Sequence, residues 1–384
     1  MARLGLFLPA LEGGGAEQVM LQLAGALALR GHDVYLMVAK PGGALSGRIP
    51  KGVNVITLHR ASSLAARGYF LRHGDARLQA FASWPGLLDF TPVLAATLDA
   101  ARLDALLCST IGAAAELVAA ALSCARVSTR LVLRESNMVG TKRQGQAGRV
   151  TRLRRAYARA AKVVAVSHRV AQDLVDTLGM DPRRIVVIPN PLDLARLRGL
   201  ARQEPPHPWF TEDVPIVLAV GRLVPQKGFD MLLEAAALVR RQLAVRLVIL
   251  GEGPQRGKLK DQAARLGLAE AVSLPGFVAN PYACMARASV MVLPSHYEGS
   301  PNCLLEALAC GCPVVAADSP GGTAEVLAQG ALGKLVPVGD AQATASAILD
   351  AIQSGQRPMA DVALARHDIA AVSAAYESVL LDGF

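Results

Sequence analysis

Short apolar runs alternate with helix-like stretches along the whole chain, and this alternation restricts the fold more than any other feature. Examples are RLGLFLP from Arg3, DVYLMVAK from Asp33 and RLVLRES from Arg130. Strands that are buried on both faces of a parallel sheet are continuously apolar, and strand–helix alternation is typical of such sheets. The sequence therefore predicts an α/β fold in which helices cover both faces of parallel sheets.

A Pro-rich polar segment, ARQEPPHPWFTED at residues 201–213, interrupts the alternation, which restarts with PIVLAVGR at Pro215. We interpret this segment as a linker, and a chain of 384 residues is long enough for two domains with ordinary cores. We predict two tandem doubly wound domains, at 1–200 and 201–365, that face each other across a cleft. An amphipathic helix is predicted at 366–384. Ligands of such sheets bind beyond the carboxyl ends of the strands.

The composition narrows the class of protein. Apolar residues make up 52% of the chain and charged residues 18%, which indicates a globular protein. The apolar runs are shorter than the roughly 20 residues of a membrane-spanning helix. The first run ends in a Gly-rich turn, so we interpret it as a strand and not as a signal peptide. The six cysteines lack metal or disulfide spacing, which favours reduced core residues and a cytoplasmic location.

The net charge of +9 is unevenly distributed. Residues 142–162, KRQGQAGRVTRLRRAYARAAK, contain eight basic residues and no acidic one. This pattern predicts a helix that contacts anionic lipid or a phosphorylated substrate; the alternative is a solvated helix in an Arg-rich chain. Nucleic acid is less favoured, because aromatic residues that stack on bases are scarce. The candidate contact residues are Arg149, Arg152, Arg154 and Arg155.

Two loops at strand ends are candidates for binding phosphate. In LEGGGAEQ, Gly14 and Gly15 open a helix, and the backbone N–H groups of such a loop can contact an anion. In VGRLVPQKGF, which includes Gly221, the cations Arg222 and Lys227 can clamp a diphosphate. The alternatives are that the first loop is a plain tight turn and that the second loop carries two surface cations.

The stretch HYEGSPNCLLEALACGCP follows a predicted strand and carries two carboxylates, Glu298 and Glu306. Ser300 suits the N-cap and Pro301 the first position of a helix. A helix start attracts phosphate, whereas carboxylates accept hydrogen bonds from hydroxyl groups of a sugar or ribose. The alternative is that Glu298 supports the cap and Glu306 is solvated.

Taken together and in this order, these motifs resemble the retaining glycosyltransferases of family four, which have the GT-B fold of two Rossmann-like domains. The resemblance covers nearly the whole chain and rests on VGRLVPQKG, LVILGEGP, LPGFV, HYEGSPNCLLEALACGCPVVA and GGTAEVL. It implies a hexosyltransferase that retains the anomeric configuration and needs no cofactor or metal. The absence of an Asp-x-Asp triplet also argues against a metal-held diphosphate.

The resemblance also implies roles for single residues. Arg222 and Lys227 would neutralise the leaving nucleoside diphosphate, Glu298 would face the transferred sugar, and Glu306 would hold the ribose. Gly14 and Gly15 would close on the diphosphate from the other domain, and the C-terminal helix would cross back to the N-terminal domain. The remaining donor-site positions are Gly221, Phe277, Val278, Gly299, Ser300, Pro301 and Asn302.

The end of the strand RLVLRESN departs from the pattern of many relatives, which have a histidine there. Glu135 and Asn137 resemble the version found in members that look like N-acetylhexosamine transferases. They would contact the reacting sugar or the acceptor; a capping or core-support role is the alternative. This favours a UDP-linked N-acetylamino sugar as donor.

The expected partners are a nucleotide-sugar donor, a glycan or lipid-linked saccharide acceptor, and an anionic membrane surface at the inner membrane face, without nucleic acid. Competing functions are a sugar-nucleotide epimerase of the same fold and a non-catalytic nucleotide-sugar-binding subunit. A nicotinamide dehydrogenase is disfavoured, because Gln18 replaces the third glycine of the G-x-G-x-x-G fingerprint.

Overall fold

The computed structural model describes residues 1–75, 88–140 and 147–382. The chain forms two compact units, of which one comprises Met1–Pro191 with Ile369–Phe384 and the other Leu192–Asp368. Each unit is a parallel sheet with helices on both faces, which confirms the predicted fold class of two Rossmann-like domains.

The first unit contains a seven-stranded sheet in the order β3-β2-β1-β4-β5-β6-β7, and all the strand pairs are parallel. Its strands are β1 (Arg3–Leu8), β2 (Asp33–Val38), β3 (Val53–Thr57), β4 (Ala105–Ser109), β5 (Arg130–Glu135), β6 (Lys162–Ala165) and β7 (Ile185–Val187). Its helices before residue 191 are α1 (Gly15–Leu29), α2 (Ser63–His73), α3 (Thr91–Ala101), α4 (Ala114–Cys124), α5 (Ala147–Ala158) and α6 (His168–Leu178).

The second unit contains a six-stranded parallel sheet in the order β10-β9-β8-β11-β12-β13. Its strands are β8 (Ile216–Val220), β9 (Arg246–Leu250), β10 (Val272–Gly276), β11 (Val290–Leu293), β12 (Val314–Ala317) and β13 (Lys334–Val336). Its helices are α7 (Leu194–Ala201), α8 (Phe229–Arg240), α9 (Arg256–Arg265), α10 (Pro281–Arg287), α11 (Asn302–Ala309), α12 (Thr323–Val326), α13 (Ala341–Ser354) and α14 (Asp361–Leu364).

The last helix, α15 (Ile369–Leu381), packs in the first unit against β4, β5 and α1. A buried cation fixes it there. Arg134 in β5 is fully buried, its Nε donates to the hydroxyl of Tyr376 at 3.1 Å, and its Nη2 donates to Oδ1 of Asn190 at 2.5 Å. These bonds join α15 and the segment after β7 to the end of the same strand.

Alternation along β5 places its last two residues on opposite faces of the sheet. Val132 belongs to the core on the α1 and α15 side, whereas Leu131 and Leu133 belong to the core under α2 to α6. Arg134 therefore faces α15, and Glu135 faces the helices of the other layer. Of these two charged residues, only Glu135 lies on the side of the sheet that α4 and α5 cover.

The division between the units differs from the expected boundaries. The sequence predicts a linker at residues 201–213, but the second unit begins at Leu192 and includes α7. Leu197 of α7 is 4% exposed and belongs to the core that covers one face of the second sheet. The Pro-rich segment therefore lies within the second unit. Its composition indicates irregular backbone, but it does not indicate on which unit that backbone packs.

In the described ranges, no helix combines the length and the apolar character needed to cross a bilayer. The six cysteines, all of which lie in these ranges, are free thiols, and four of them are buried.

Candidate active site

The carboxyl ends of β8 and β11 are neighbours at the point where the strand order of the second sheet reverses, which is where doubly wound sheets bind ligands. The loop after β8 carries Lys227, and the loop after β11 carries Glu298. The two side chains meet, with Nζ of Lys227 2.5 Å from Oε1 of Glu298. Two residues that are 71 positions apart thus form one charged pair at this edge.

The Lys227–Glu298 pair is nearly removed from water, with the two side chains 14% and 8% exposed. The hydroxyl of Ser295 donates to the same Oε1 of Glu298 at 2.7 Å. Burial by itself would lower the pKa of Lys227, but the charge and hydrogen bond of Glu298, together with Cys303, offset this and the pKa lies above its ordinary value. Lys227 is therefore a fixed ammonium, and Glu298 takes one of its three donors.

Backbone contacts hold the Glu298 loop in place. The N–H of Glu298 donates to the carbonyl of Pro320 at 3.0 Å, and the N–H of Gly322 donates to the carbonyl of Glu298 at 3.2 Å. Between them, Gly321 has φ +120°, and a Cβ there would lie 1.4 Å from the carbonyl oxygen of Glu298. Only glycine fits such a contact, so the GGT motif positions Glu298.

The helix after this loop starts one residue later than predicted. Pro301 is the N-cap of α11 with an extended ψ of 103°, and Asn302 is the first helical residue, so the prediction of Ser300 as N-cap is wrong. The reason is that proline fixes φ but leaves ψ free to be extended. Gly299 and Pro301 are buried, and Ser300 and Asn302 are partly exposed. Pro301 has no N–H, so the donors of this segment belong to its neighbours.

Glu306 lies on α11, apart from the charged pair, and its Oε1 accepts a hydrogen bond from the hydroxyl of Tyr282 at 3.3 Å. Burial raises the pKa of Glu306 to about 7, and the Tyr282 bond opposes that rise. A carboxylate that titrates near neutrality can accept hydroxyl hydrogen bonds once ionised.

The other predicted donor-site residues surround this edge of the sheet. Gly221 and the exposed Arg222 follow β8 directly, whereas Phe277, half-exposed, and Val278, packed on the core, follow β10. The turn in LGEGP has a structural role, because a Cβ at Gly251 would lie 1.9 Å from the carbonyl oxygen of Gly221.

The Gly-rich loop of the first unit has an internal acceptor. The N–H groups of Gly13 and Gly14 both donate to Oε2 of Glu17, at 2.8 and 3.1 Å, and Glu17 is buried in the first turn of α1. Gly14 is the N-cap, and Gly15 is exposed at the helix start. Of the two glycines that the sequence assigned to an anion, Gly14 thus has its amide held by a carboxylate of the chain itself.

Glu135 ends β5 and has three donors around its carboxylate. Oε2 accepts from the hydroxyl of Thr110 at 2.8 Å and from the hydroxyl of Tyr157, and Oε1 accepts from the N–H of Asn137 at 3.0 Å. Glu135 is 7% exposed, and Asn137 is partly exposed. These bonds favour the supporting role that the sequence left open for Glu135.

The predicted basic helix corresponds to α5, although residues 142–146 lie outside the described ranges. Its apolar face is used by the protein core, because Leu153 and Tyr157 are buried. Among the predicted contact residues, Arg154 and Arg155 are exposed, whereas Arg149 and Arg152 are partly buried.

Several residues around these sites were missed by sequence reasoning. Ser, Tyr and Gly residues of this kind occur throughout the chain, and only their contacts mark them. The GGTAEVL and LEGGGAEQ motifs were the available signals for Gly321 and Glu17. The missed residues are Glu17, Thr110, Glu116, Tyr157, Tyr282, Ser295 and Gly321.

The chain matches the sequence profiles of two glycosyltransferase families. The family described as Glycosyltransferase Family 4 matches residues 13–196, and Glycosyl transferases group 1 matches residues 214–354. These ranges correspond to parts of the first and second units.

Relatives and solved structures agree with these profiles. The chain is 33% identical over 186 residues to an N-acetylgalactosamine-N,N'-diacetylbacillosaminyl-diphospho-undecaprenol 4-alpha-N-acetylgalactosaminyltransferase of Campylobacter jejuni, covering 47% of this chain and 48% of that protein. It is 38% identical over 207 residues to a D-inositol 3-phosphate glycosyltransferase of Geodermatophilus obscurus, covering 50% and 45%. The chain therefore spans about half the length of each of these relatives.

A crystal structure of Anabaena Alr3699/HepE in complex with UDP-glucose superposes with a TM-score of 0.79 at 22% identity, covering all of both chains. At this identity the likeness establishes the fold. The two profiles show that the chain belongs to glycosyltransferase family 4, and the superposition shows that it has the GT-B fold.

Proposed function

We propose that the protein transfers an N-acetylhexosamine from a UDP-linked donor to a saccharide or lipid-linked saccharide during synthesis of a surface glycan, with retention of configuration and without a metal. The observation that carries the proposal is the buried Lys227–Glu298 pair at the carboxyl ends of β8 and β11, beside the start of α11. The family supports glycosyl transfer, and the bound ligand named for the Anabaena structure supports UDP.

The donor site supplies positive charge where the leaving group departs. Glycosyl transfer leaves a nucleoside diphosphate, and fixed cations and N–H dipoles stabilise such charge in the transition state. Since Lys227 and Glu298 together are neutral, the exposed Arg222 provides the net positive charge for the diphosphate. Lys227 retains further donors for phosphate, while Glu298 and Glu306 accept hydroxyl groups of the sugar and the ribose.

We expect UDP to bind to the wild-type protein in the presence of EDTA and to bind at least tenfold more weakly to Glu306→Ala, because the variant loses the ribose acceptor. Isothermal titration calorimetry with UDP, GDP, ADP and NAD measures this. Binding of NAD alone, or no binding to folded protein, contradicts the proposal. Tight UDP binding without turnover of any UDP-sugar would favour the non-catalytic subunit.

The affinity for UDP is expected to fall by up to about tenfold between pH 8 and pH 6, because the pKa of Glu306 is about 7 and the neutral acid accepts hydroxyl hydrogen bonds more weakly than the carboxylate. Protonation dominates below this pKa, so the loss appears on the acid side. The affinity of Glu306→Gln for UDP should not show this loss at acid pH. The ratio of the two dissociation constants across pH removes the ionisation of UDP itself, and a constant ratio contradicts the prediction.

We further propose that the first unit docks on the anionic cytoplasmic face of a membrane through α5 and α2. Arg154 and Arg155 are exposed on α5. On α2, Leu64 and Leu71 are 85% and 45% exposed and lie seven positions apart, on one face of the helix. Arg159, directly after α5, pairs with Asp75 after α2 at 3.2 Å, so the C-terminal ends of the two helices are close. Exposed leucines and arginines on neighbouring elements are typical of interfacial binding.

The double variant Arg154→Glu/Arg155→Glu is expected to bind phosphatidylglycerol vesicles at least tenfold more weakly, since each basic residue near an anionic surface contributes about 1 kcal/mol. Vesicle sedimentation measures this, and calorimetry should show unchanged UDP binding. The exposed pair Arg241→Glu/Arg265→Glu in the second unit makes the same change of charge and serves as the control. Equal sedimentation of both double variants rules out docking through α5.

A further inference from the structure

A small cavity lies in the first unit at the carboxyl ends of β4 and β5. It has a volume of about 20 Å³, which holds roughly one water-sized group. Glu116, Glu135 and Tyr157 line it, and it reaches the surface beside the exposed Gly112 and the partly buried Arg149. Thr110, which follows β4, also lines it. Ligands of doubly wound sheets bind at this edge.

Glu116 has an unused acceptor in this cavity. The residue is 1% exposed, and among the described residues its Oε2 has no hydrogen-bond partner. Burial raises the pKa of Glu116, while a backbone hydrogen bond to its carboxyl group and the nearby Arg149 and Arg152 oppose that rise. A buried acceptor without a donor costs about 1–3 kcal/mol. The neighbouring Glu135, in contrast, is bonded to protein donors.

Stabilisation of α4 does not explain this burial. Glu116 is the acidic residue in the first turn of α4, and a carboxylate there interacts favourably with the helix dipole. An exposed carboxylate would provide the same interaction without the cost of burial. The burial of Glu116 beside an open cavity therefore points to a ligand.

The surroundings restrict what this ligand can be. Two carboxylates disfavour an anion, and the two arginines near Glu116 disfavour an ammonium group. The volume admits a group with about one non-hydrogen atom. The neutral hydrogen-bond donors of that size are a hydroxyl group and a water molecule.

We propose that the cavity is a recognition site for the acceptor saccharide, in which Oε2 of Glu116 accepts a hydrogen bond from one sugar hydroxyl. This proposal rests on the proposed glycosyltransferase function and assigns part of the acceptor site to the first unit. Glu135, fixed by Thr110 and Tyr157, forms the rigid wall beside this hydroxyl. A site built to bind a hydroxyl rejects an analogue that lacks it, because the acceptor is then left unpaired.

The test measures the binding of four p-nitrophenyl glycosides (N-acetylglucosaminide, N-acetylgalactosaminide, glucoside and galactoside) to the full chain by saturation-transfer NMR. We expect at least one to bind to the wild type, and its affinity to fall at least tenfold in Glu116→Met. Methionine has a similar shape but lacks the acceptor, and it removes an unsatisfied buried carboxylate. The thermal midpoint of this variant should therefore stay the same or rise, whereas a purely structural Glu116 predicts a fall.

Two further variants complete the test. Ala115→Val fills the cavity from the same helix and should also weaken glycoside binding, while the exposed Glu270→Gln should leave it unchanged. The proposal is overturned if no glycoside binds to the wild type, or if Glu116→Met binds as tightly as the wild type. UDP calorimetry on the same samples tests the donor site separately. If glycoside binding is lost in Glu116→Met but the wild type binds no nucleotide, the sugar site is supported and the glycosyltransferase function is refuted.

Discussion

Replacing Lys227 with methionine is expected to lower the rate of UDP release from UDP-N-acetylglucosamine by about 10² to 10³-fold, the usual effect of removing one fixed donor from developing negative charge. The side chain is 14% exposed and bonded to Glu298, so its ammonium is already oriented before the donor binds. A coupled assay of UDP release at saturating donor measures the change. The exposed Lys258→Met makes the same chemical change in the same unit and should have no effect.

Stability has to be separated from catalysis in this variant, because loss of Lys227 leaves the Glu298 carboxylate buried without its cation. Breaking a buried pair in this way destabilises a protein by about 3–5 kcal/mol. The double variant Lys227→Met/Glu298→Gln removes both charges and should recover most of the free energy of unfolding. Its rate should remain low, since the phosphate still lacks the Lys227 donors and the sugar lacks the Glu298 carboxylate. Recovery of the wild-type rate in the double variant would show that Lys227 acts only on stability.

Replacing Gly321 with alanine is expected to lower the free energy of unfolding by about 3 kcal/mol or more and the rate of UDP release by at least about a hundredfold. The added Cβ would lie 1.4 Å from the carbonyl oxygen of Glu298, so the backbone of one of the two loops must move. A displacement of about 1 Å in a positioned group can cost a hundredfold in rate. Denaturant unfolding and the UDP-release assay measure the two effects.

The matched control is Gly339→Ala. Gly339 also has positive φ, at +78°, but a Cβ there meets nothing within 4 Å. Its variant carries only the backbone strain, about 1–2 kcal/mol, and should keep the wild-type rate. If both alanine variants behave alike, the contact with Glu298 has no special effect and the GGT segment is an ordinary turn.

The strands of both sheets were predictable because buried parallel strands leave continuous apolar runs in the sequence. The runs from Arg3, Asp33, Arg130 and Pro215 coincide with β1, β2, β5 and β8 to within one residue at their starts. The motifs with Arg222, Lys227, Glu298 and Glu306 could be placed at strand ends for the same reason. The helix α11 starts one residue later than the sequence predicts, since proline is compatible with both the N-cap and the first helical position.

The contacts that define the sites could not be predicted, because each joins segments far apart in the chain. Nothing in the sequence indicates that Lys227 faces Glu298, that Gly321 lies against the Glu298 carbonyl, or that Oε2 of Glu116 is buried without a donor among the described residues. The internal use of the Gly13 and Gly14 amides by Glu17 is local, but it depends on a side-chain conformation that the residue pattern does not specify.

The sequence by itself determined the two parallel sheets, the order of their elements and the loops that carry the chemistry, because apolar periodicity and turn residues act over short distances. Only the tertiary structure decided which charges are paired, which amides are already bonded and where one unit ends and the next begins. These properties depend on burial and on packing between distant segments, which set the pKa of Glu306 and the position of α7.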